Sequence, residues 1–300
     1  MIFIVKRVME SIVIMMVSRN PYTAYKTRIN KLIFKGDLGY KSLILANDHG
    51  FEHRADFTIP EAANPDYVMT IAERAKIPLV CHKGIYLRHA HKHPDVPMVL
   101  KLNGKTELFY DNRPPKGGID CTVQEALGLC PNLAAVGYSL YVGGQEEAEQ
   151  LGELRQIVQE ARAFQVPVIV WSYVRQHKPR LKDQEGKMEN VRYAARVAYE
   201  NGADFVKLYY PENTEGLKRV REYVPDIFCL IAGGSKKDTI EQAFQSAYDI
   251  VHVLDGMAIG RNIFQDPKPV NKALAYKAIF SGKSVEKAME IYNSEKIELT

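Results

Sequence analysis

MENVRYAARVAYE-NGA-DFVKLYY-PEN-TEGLKRVREY-VPD-IFCLIAGG, residues 188–234, carries the fold in miniature. Two of its segments, 188–200 and 214–223, repeat apolar positions at helical spacing, whereas 204–210 and 227–234 are short runs rich in β-branched and aromatic residues. Asn201-Gly202 and Pro225 stop the helices, and the apolar runs opening at Asp204 and Phe228 follow at once. Helix, strand, helix, strand in this order describes βα units, whose strands lie parallel in one sheet.

The same alternation extends in both directions. Six more strands are expected: SLILAND (42–48), IPLVCHK (77–83), PMVLKLN (97–103), AAVGYSLYVG (134–143), PVIVWSY (167–173) and GMAIG (256–260). Amphipathic segments at 145–164 and 236–247 join those at 188–200 and 214–223. Eight βα units in one uninterrupted series predict a closed (β/α)8 TIM barrel rather than an open doubly wound sheet. A helical pattern over 21–34 precedes the first strand and is placed to cover the barrel's bottom, and helices at 268–281 and 285–292 close the chain. No linker interrupts the series, so 21–300 reads as one barrel domain. Residues 1–20 read as an extension of no evident role, too short and too charged at Lys6, Arg7 and Glu10 to span a bilayer; Met15 and Met16 offer later starts.

Composition narrows the function. The chain has 300 residues, 46% hydrophobic and 25% charged, enough for a full core. Its net charge of +4 comes without a like-charged block or basic stripe, which argues against a nucleic-acid surface and suits an anionic metabolite. Cys81, Cys121, Cys130 and Cys229 are scattered, the pattern of reduced cytoplasmic thiols.

Barrel chemistry gathers at the carboxyl ends of the strands. There the sequence places Asp48, His49, Lys83, Lys101, Asn103, Trp171, Tyr173, Arg175, Lys207, Tyr209 and Arg261. Lys207 and Lys101 each interrupt an apolar strand, where burial and a neighbouring cation favour a neutral, nucleophilic amine. The bland alternative for either is a structural ion pair with Asp48 or Asp204. On this reading alone the two lysines are nearly tied. Trp171 and Tyr173, two apart on one strand, project to one face, as core or as an aromatic plate and phenol against a ligand. Ala232-Gly233-Gly234-Ser235 and Gly260-Arg261 fall after strands seven and eight, where barrels commonly hold phosphate. His82, His89, His91 and His93 tempt a metal reading, but no zinc-type spacing accompanies them; solvated histidines at a helix end are expected, and no metal.

Taken together, the segments DHGFEH (48–53), VLKLN (99–103), WSYVR (171–175), GADFVK (202–207), Gly233-Gly234 and Gly260-Arg261-Asn262 resemble archaeal-type class I fructose-1,6-bisphosphate aldolases. The resemblance runs from about residue 43 to 264 and implies a Schiff-base mechanism without metal or other cofactor. It makes Lys207 the nucleophile, Tyr173 the acid/base group and Asp48 a proton-handling carboxylate. His49, Lys101, Trp171, Arg175, Ala232, Gly233, Gly234, Gly260 and Arg261 become substrate contacts, the glycine loops holding phosphate. A phosphorylated sugar, a cytoplasmic setting and a homo-oligomer follow from the same likeness, with no nucleic acid and no membrane as partner. Ala232 and Arg54 depart from residues common in that family. A lysine-dependent synthase, transaldolase-like enzyme or thiolase of the same superfamily would share the lysine and phosphate loops, and a non-catalytic effector-binding barrel would share only the loops.

Overall fold

Eight parallel strands close into a ring in the computed structural model, which describes residues 21–53, 57–106, 116–144, 146–175, 187–233 and 238–299. The barrel strands are β1 (Gly39–Asn47), β2 (Leu79–His82), β3 (Met98–Lys101), β4 (Leu133–Val142), β5 (Val168–Val174), β6 (Phe205–Leu208), β7 (Phe228–Ala232) and β8 (Gly256–Ile259). Each pairs with its neighbours in sequence, and β8 pairs back onto β1, with Met257 opposite Leu43 and Ile259 opposite Leu45. The expected closed barrel is therefore present.

Alternation along each strand sorts the side chains. Leu43 and Leu45 face outward into the large core beneath the helices, joining Val68, Ile71 and Ala72 of the helix Pro65–Ala75. Ile44 and Ala46 face inward, with Val80, Val99, Ala135, Ile169, Phe205, Leu230 and Ala258 from the other strands. These residues fill the lower lumen with apolar volume, so the barrel is a packed core rather than a pore.

Helix α1 (Pro21–Leu32) seals the bottom, as its sequence position suggested. Leu32 packs into the lumen cluster, and its carbonyl accepts from the Ser42 hydroxyl at 2.7 Å. The Tyr25 hydroxyl donates to Asp204, which also accepts from the Val168 amide at 2.8 Å. Asp204 therefore fastens the floor and does not neutralise a lumen lysine.

The segments 188–200 and 214–223 form helices with those bounds, Met188–Glu200 and Thr214–Tyr223, the latter capped by the Asn213 side chain on the Gly216 amide. The helix expected over 236–247 instead runs Ile240–Val251, because Thr239 and Gln242 form a reciprocal capping box that sets its start. The third strand also stops short, at Lys101. Asn103 leaves the main sheet, and its carboxamide replaces the ladder by donating to the Ser139 carbonyl at 2.9 Å and accepting from the Ser139 amide at 2.7 Å. Asn103–Gly104 then pairs antiparallel with Gly118–Ile119. The expectations for residues 1–20, Arg54 and Gly234 lie outside the described residues. No helix among the described residues is long and apolar enough to cross a membrane.

Candidate active site

Stepping two residues up from each apolar lumen position reaches the layer at the barrel's mouth. Ala46 leads to Asp48, Val80 to His82, Val99 to Lys101, Trp171 to Tyr173, Phe205 to Lys207, and Ala258 to Gly260. Asp48, His82, Lys101, Tyr173, Lys207 and Gly260 thus share one parity and converge above one hydrophobic floor.

Lys101 is fully buried, its ammonium 2.6 Å from Glu52 Oε1 and 3.3 Å from Asp48 Oδ2. Glu52 ends the single turn α2 (His49–Glu52), which follows β1, so Asp48 and Glu52 lie four residues apart on one face. Glu52 Oε1 is also 3.3 Å from His82 Nε2. The ion-pair alternative describes one lysine: Lys101 is a member of a buried ion cluster with Asp48 and Glu52. Lys207 is buried as well, yet among the described residues it forms no ion pair.

The electrostatics separate the two amines. Burial pulls Lys207 below the ordinary lysine value, with Asp48 opposing this and the Lys101 ammonium adding to it. Burial would depress Lys101 too, but Glu52 and Asp48 outweigh it and hold Lys101 above the ordinary value. Asp48 and Glu52 resist the cost of burial and stay below the usual carboxylate range because Lys101 faces both. Burial also brings His49 down to about 4, despite Asp48 at 3.6 Å, so its imidazole is neutral near pH 7.

Aromatic rings form the wall between β5 and β6. Trp171 lies opposite Lys207 in the strand register, and both Lys101 Nζ and Lys207 Nζ approach its ring, at 4.7 and 5.5 Å from the centroid. Gly137 on β4 makes room for the indole: a Cβ there would lie 2.5 Å from Trp171 Cζ3. Tyr173 stacks on Tyr209 with centroids 4.3 Å apart, and the Tyr209 hydroxyl accepts from Arg175 Nη2 at 2.7 Å. Burial raises the Tyr173 phenol well above its usual value, keeping it protonated as an acid. A cleft of about 410 Å3 opens beside Asp48, with Asn47, His82, Gly84, Ile85 and Arg88 in its walls.

The two glycine loops differ in their surroundings. Gly260 precedes the short helix α3 (Arg261–Phe264) and abuts His49 so closely that a Cβ would sit 2.1 Å from His49 Cε1. Arg261 is exposed at the mouth. Gly233, however, donates its amide to the Ala258 carbonyl at 3.1 Å, and Ala232 is still a strand residue opposite Ala258. The Gly233 amide therefore belongs to the sheet.

The histidines are not a solvated group. His93 is buried with Nδ1 2.9 Å from Glu73, His89 Nδ1 lies 2.9 Å from Asp66, and His82 faces Glu52. His91 alone of the four is exposed. One further residue of the site escaped the sequence reading: Glu52, which its i,i+4 spacing from Asp48 could have signalled.

The model of the DeoC/LacD family aldolase matches residues 42–266, which spans the whole ring from β1 to the end of α3. The chain belongs to the DeoC/LacD family of aldolases. It is 36% identical over 259 residues to the class 1 fructose-bisphosphate aldolase of Thermoproteus tenax, covering 84% of this chain and 94% of that one. To the fructose-bisphosphate aldolase/6-deoxy-5-ketofructose 1-phosphate synthase of Methanocaldococcus jannaschii it is 28% identical over 276 residues, 85% of this chain and 86% of that protein. Its fold matches an archaeal fructose-1,6-bisphosphate aldolase solved with the catalytic lysine covalently bound to the carbinolamine intermediate, at a TM-score of 0.76 and 33% identity over 86% of this chain and 100% of that one. As in any aldolase, the reaction of this family member makes or breaks a carbon–carbon bond.

Proposed function

We propose that the protein is a class I fructose-bisphosphate aldolase, reversibly cleaving fructose 1,6-bisphosphate to dihydroxyacetone phosphate and glyceraldehyde 3-phosphate through a Schiff base on Lys207. The observation that carries this reading is the division of charge between two buried lysines: Lys101 is held by Glu52 and Asp48, while Lys207 is depressed by burial. A neutral amine is the form that attacks a carbonyl.

In this mechanism Lys207 Nζ adds to C2 of the open-chain sugar, and the carbinolamine loses its hydroxyl as water to give an iminium. The C4 hydroxyl then loses a proton, the C3–C4 bond breaks, and its electron pair flows into the iminium as an enamine. Tyr173, protonated and next to Tyr209, supplies and removes the protons of carbinolamine and enamine. Asp48, 3.3 Å from the Lys101 ammonium, balances the cationic centre. Trp171 and Arg175 flank the sugar, His49 and Lys101 shape the site around it, and the loops of Gly233-Gly234 and Gly260-Arg261 take a phosphate, Arg261 supplying a guanidinium. The iminium performs the electron withdrawal that a metal aldolase obtains from its ion, so the mechanism calls for no metal or other cofactor.

The M. jannaschii relative supports a second reading in which the same lysine works as a synthase on another phosphorylated carbonyl compound. One assay separates them: release of triose phosphate from fructose 1,6-bisphosphate, unchanged by a chelator, is expected, and its absence would overturn the aldolase assignment. Activity lost to the chelator and restored by zinc would overturn the metal-free mechanism. We assign the barrel domain to 21–300, with 1–20 as an appended segment, and place the enzyme in the cytoplasm as a homo-oligomer without nucleic-acid or membrane partners. The four free, buried thiols suit that compartment.

A further inference from the structure

Glu52 belongs to no step of the mechanism above, yet it is buried at the centre of the charge cluster. We propose that Glu52 is a positioning residue: by gripping the Lys101 ammonium at 2.6 Å it fixes that cation beside Lys207 and leaves Asp48, at 3.3 Å, as the looser carboxylate for chemistry. The inference rests on Lys207 being the nucleophile and adds how its surroundings are set.

A buried ion pair is a poor device for stability alone, because desolvating both charges offsets most of their attraction and apolar residues fill such space as well. This pair, in contrast, stands against the ring that also receives Lys207, with Lys101 Nζ 4.7 Å and Lys207 Nζ 5.5 Å from the Trp171 centroid. The groups facing Lys101 and Lys207 are the carboxylates Asp48 and Glu52, the Trp171 ring, His82 behind Glu52, and on the Lys207 side the neutral imidazole of His49. Two carboxylates against two lysines allow both lysines to be charged. Glu52 is aimed so that the charge settles on Lys101: its Oε1 contacts Lys101 and His82. With Glu52 gone, Asp48 is the carboxylate left within 4 Å of Lys101 among the described residues, and the ammonium is drawn onto it.

The test uses the full chain, borohydride and dihydroxyacetone phosphate, with the rate of adduct formation on Lys207 followed by mass spectrometry across pH. Glu52→Gln removes an anion that favours protonated Lys207, so the acid midpoint moves down; Lys101→Met removes a cation that disfavours it, so the midpoint moves up. Each shift is on the order of one pH unit. Because Glu52 acts through Lys101, Glu52→Gln costs about tenfold or more in kcat by itself, but less than about twofold when added to Lys101→Met. Midpoints that stay put or move together would overturn the proposal, as would independent losses in the double variant. If Glu52→Gln does not fold, the comparison of Lys101→Met with the double variant decides, since neither leaves Lys101 charged and unpaired: a further tenfold loss overturns the proposal. A wild-type chain that gives no adduct on Lys207 defeats the Schiff-base reading instead, a distinct result.

Discussion

Trp171 and Lys207 are register partners on adjacent strands, and the lysine nitrogen lies 5.5 Å from the centre of the indole ring. The ring presents a negative face to a cation, so together with Asp48 it would accommodate a charged intermediate on Lys207. The indole is therefore one of the surfaces against which an iminium on Lys207 would form.

The position of that ring depends on Gly137. A methyl group there would meet Trp171 Cζ3 at 2.5 Å and Lys101 Cδ at 3.4 Å. Gly137→Ala is expected to push the indole toward the mouth, at a cost of about 1–3 kcal/mol in stability and a loss of kcat/KM of about tenfold or more. Urea unfolding beside steady-state kinetics checks both; wild-type kinetics would mean the ring's placement is immaterial.

Asp48→Asn leaves Lys101 paired with Glu52, so the fold should survive while proton handling fails. The expected outcome is a fall in kcat of about 10²–10⁴-fold. Single-turnover cleavage gives the rate, and circular dichroism verifies the fold. A loss under threefold would remove Asp48 from the chemistry.

His49 makes a pH prediction with a defined sign. Its folded value of about 4 lies below the ordinary 6.5, so between these limits the unfolded chain binds a proton that the folded one refuses. Stability therefore rises with pH across that window and is lost on acidification, by up to about 3 kcal/mol. Asp48 and Glu52, also depressed, extend the loss to lower pH. Unfolding free energies measured from pH 7 to pH 4 should show a slope that His49→Asn flattens; an equal slope in both proteins refutes the assignment.

At the opposite end, Tyr25→Phe removes the hydroxyl donor to Asp204, whose carboxyl burial already holds above its usual value. A loss of about 1–2 kcal/mol in stability with kcat and KM unchanged is expected, because the bond lies at the floor, away from the mouth. Altered kinetics would show that the floor communicates with the site.

The barrel was legible because every strand carried its own punctuation. Asn201-Gly202 and Pro225 end helices, and alternation in VIVWSYV and FVKL fixes which side chains point inward. Parity alone brings Asp48, Lys101, Tyr173 and Lys207 together. What remained hidden depended on partners far apart in the chain. The Gly233 amide reads as a free donor until Ala258 is seen opposite it, and His93 reads as solvated until Glu73 and Asp66 are seen beside it. Asn103 resembled a site residue for the same reason, since its carboxamide serves Ser139 on the next strand. Glu52 was overlooked because a single helical turn gives no periodicity to detect, though that turn points it at Lys101.

Closure of the ring by β8 against β1 joins residues more than two hundred positions apart. A nascent chain must therefore wait until Gly256–Ile259 is made before β1, which is followed by Asp48, gains its second parallel neighbour in the barrel; until then the barrel strands at both margins stay open to wrong partners. The site is consequently assembled late and all at once: a chain cut short before residue 256 carries Asp48, Tyr173 and Lys207 in sequence, but has no closed vessel in which they meet.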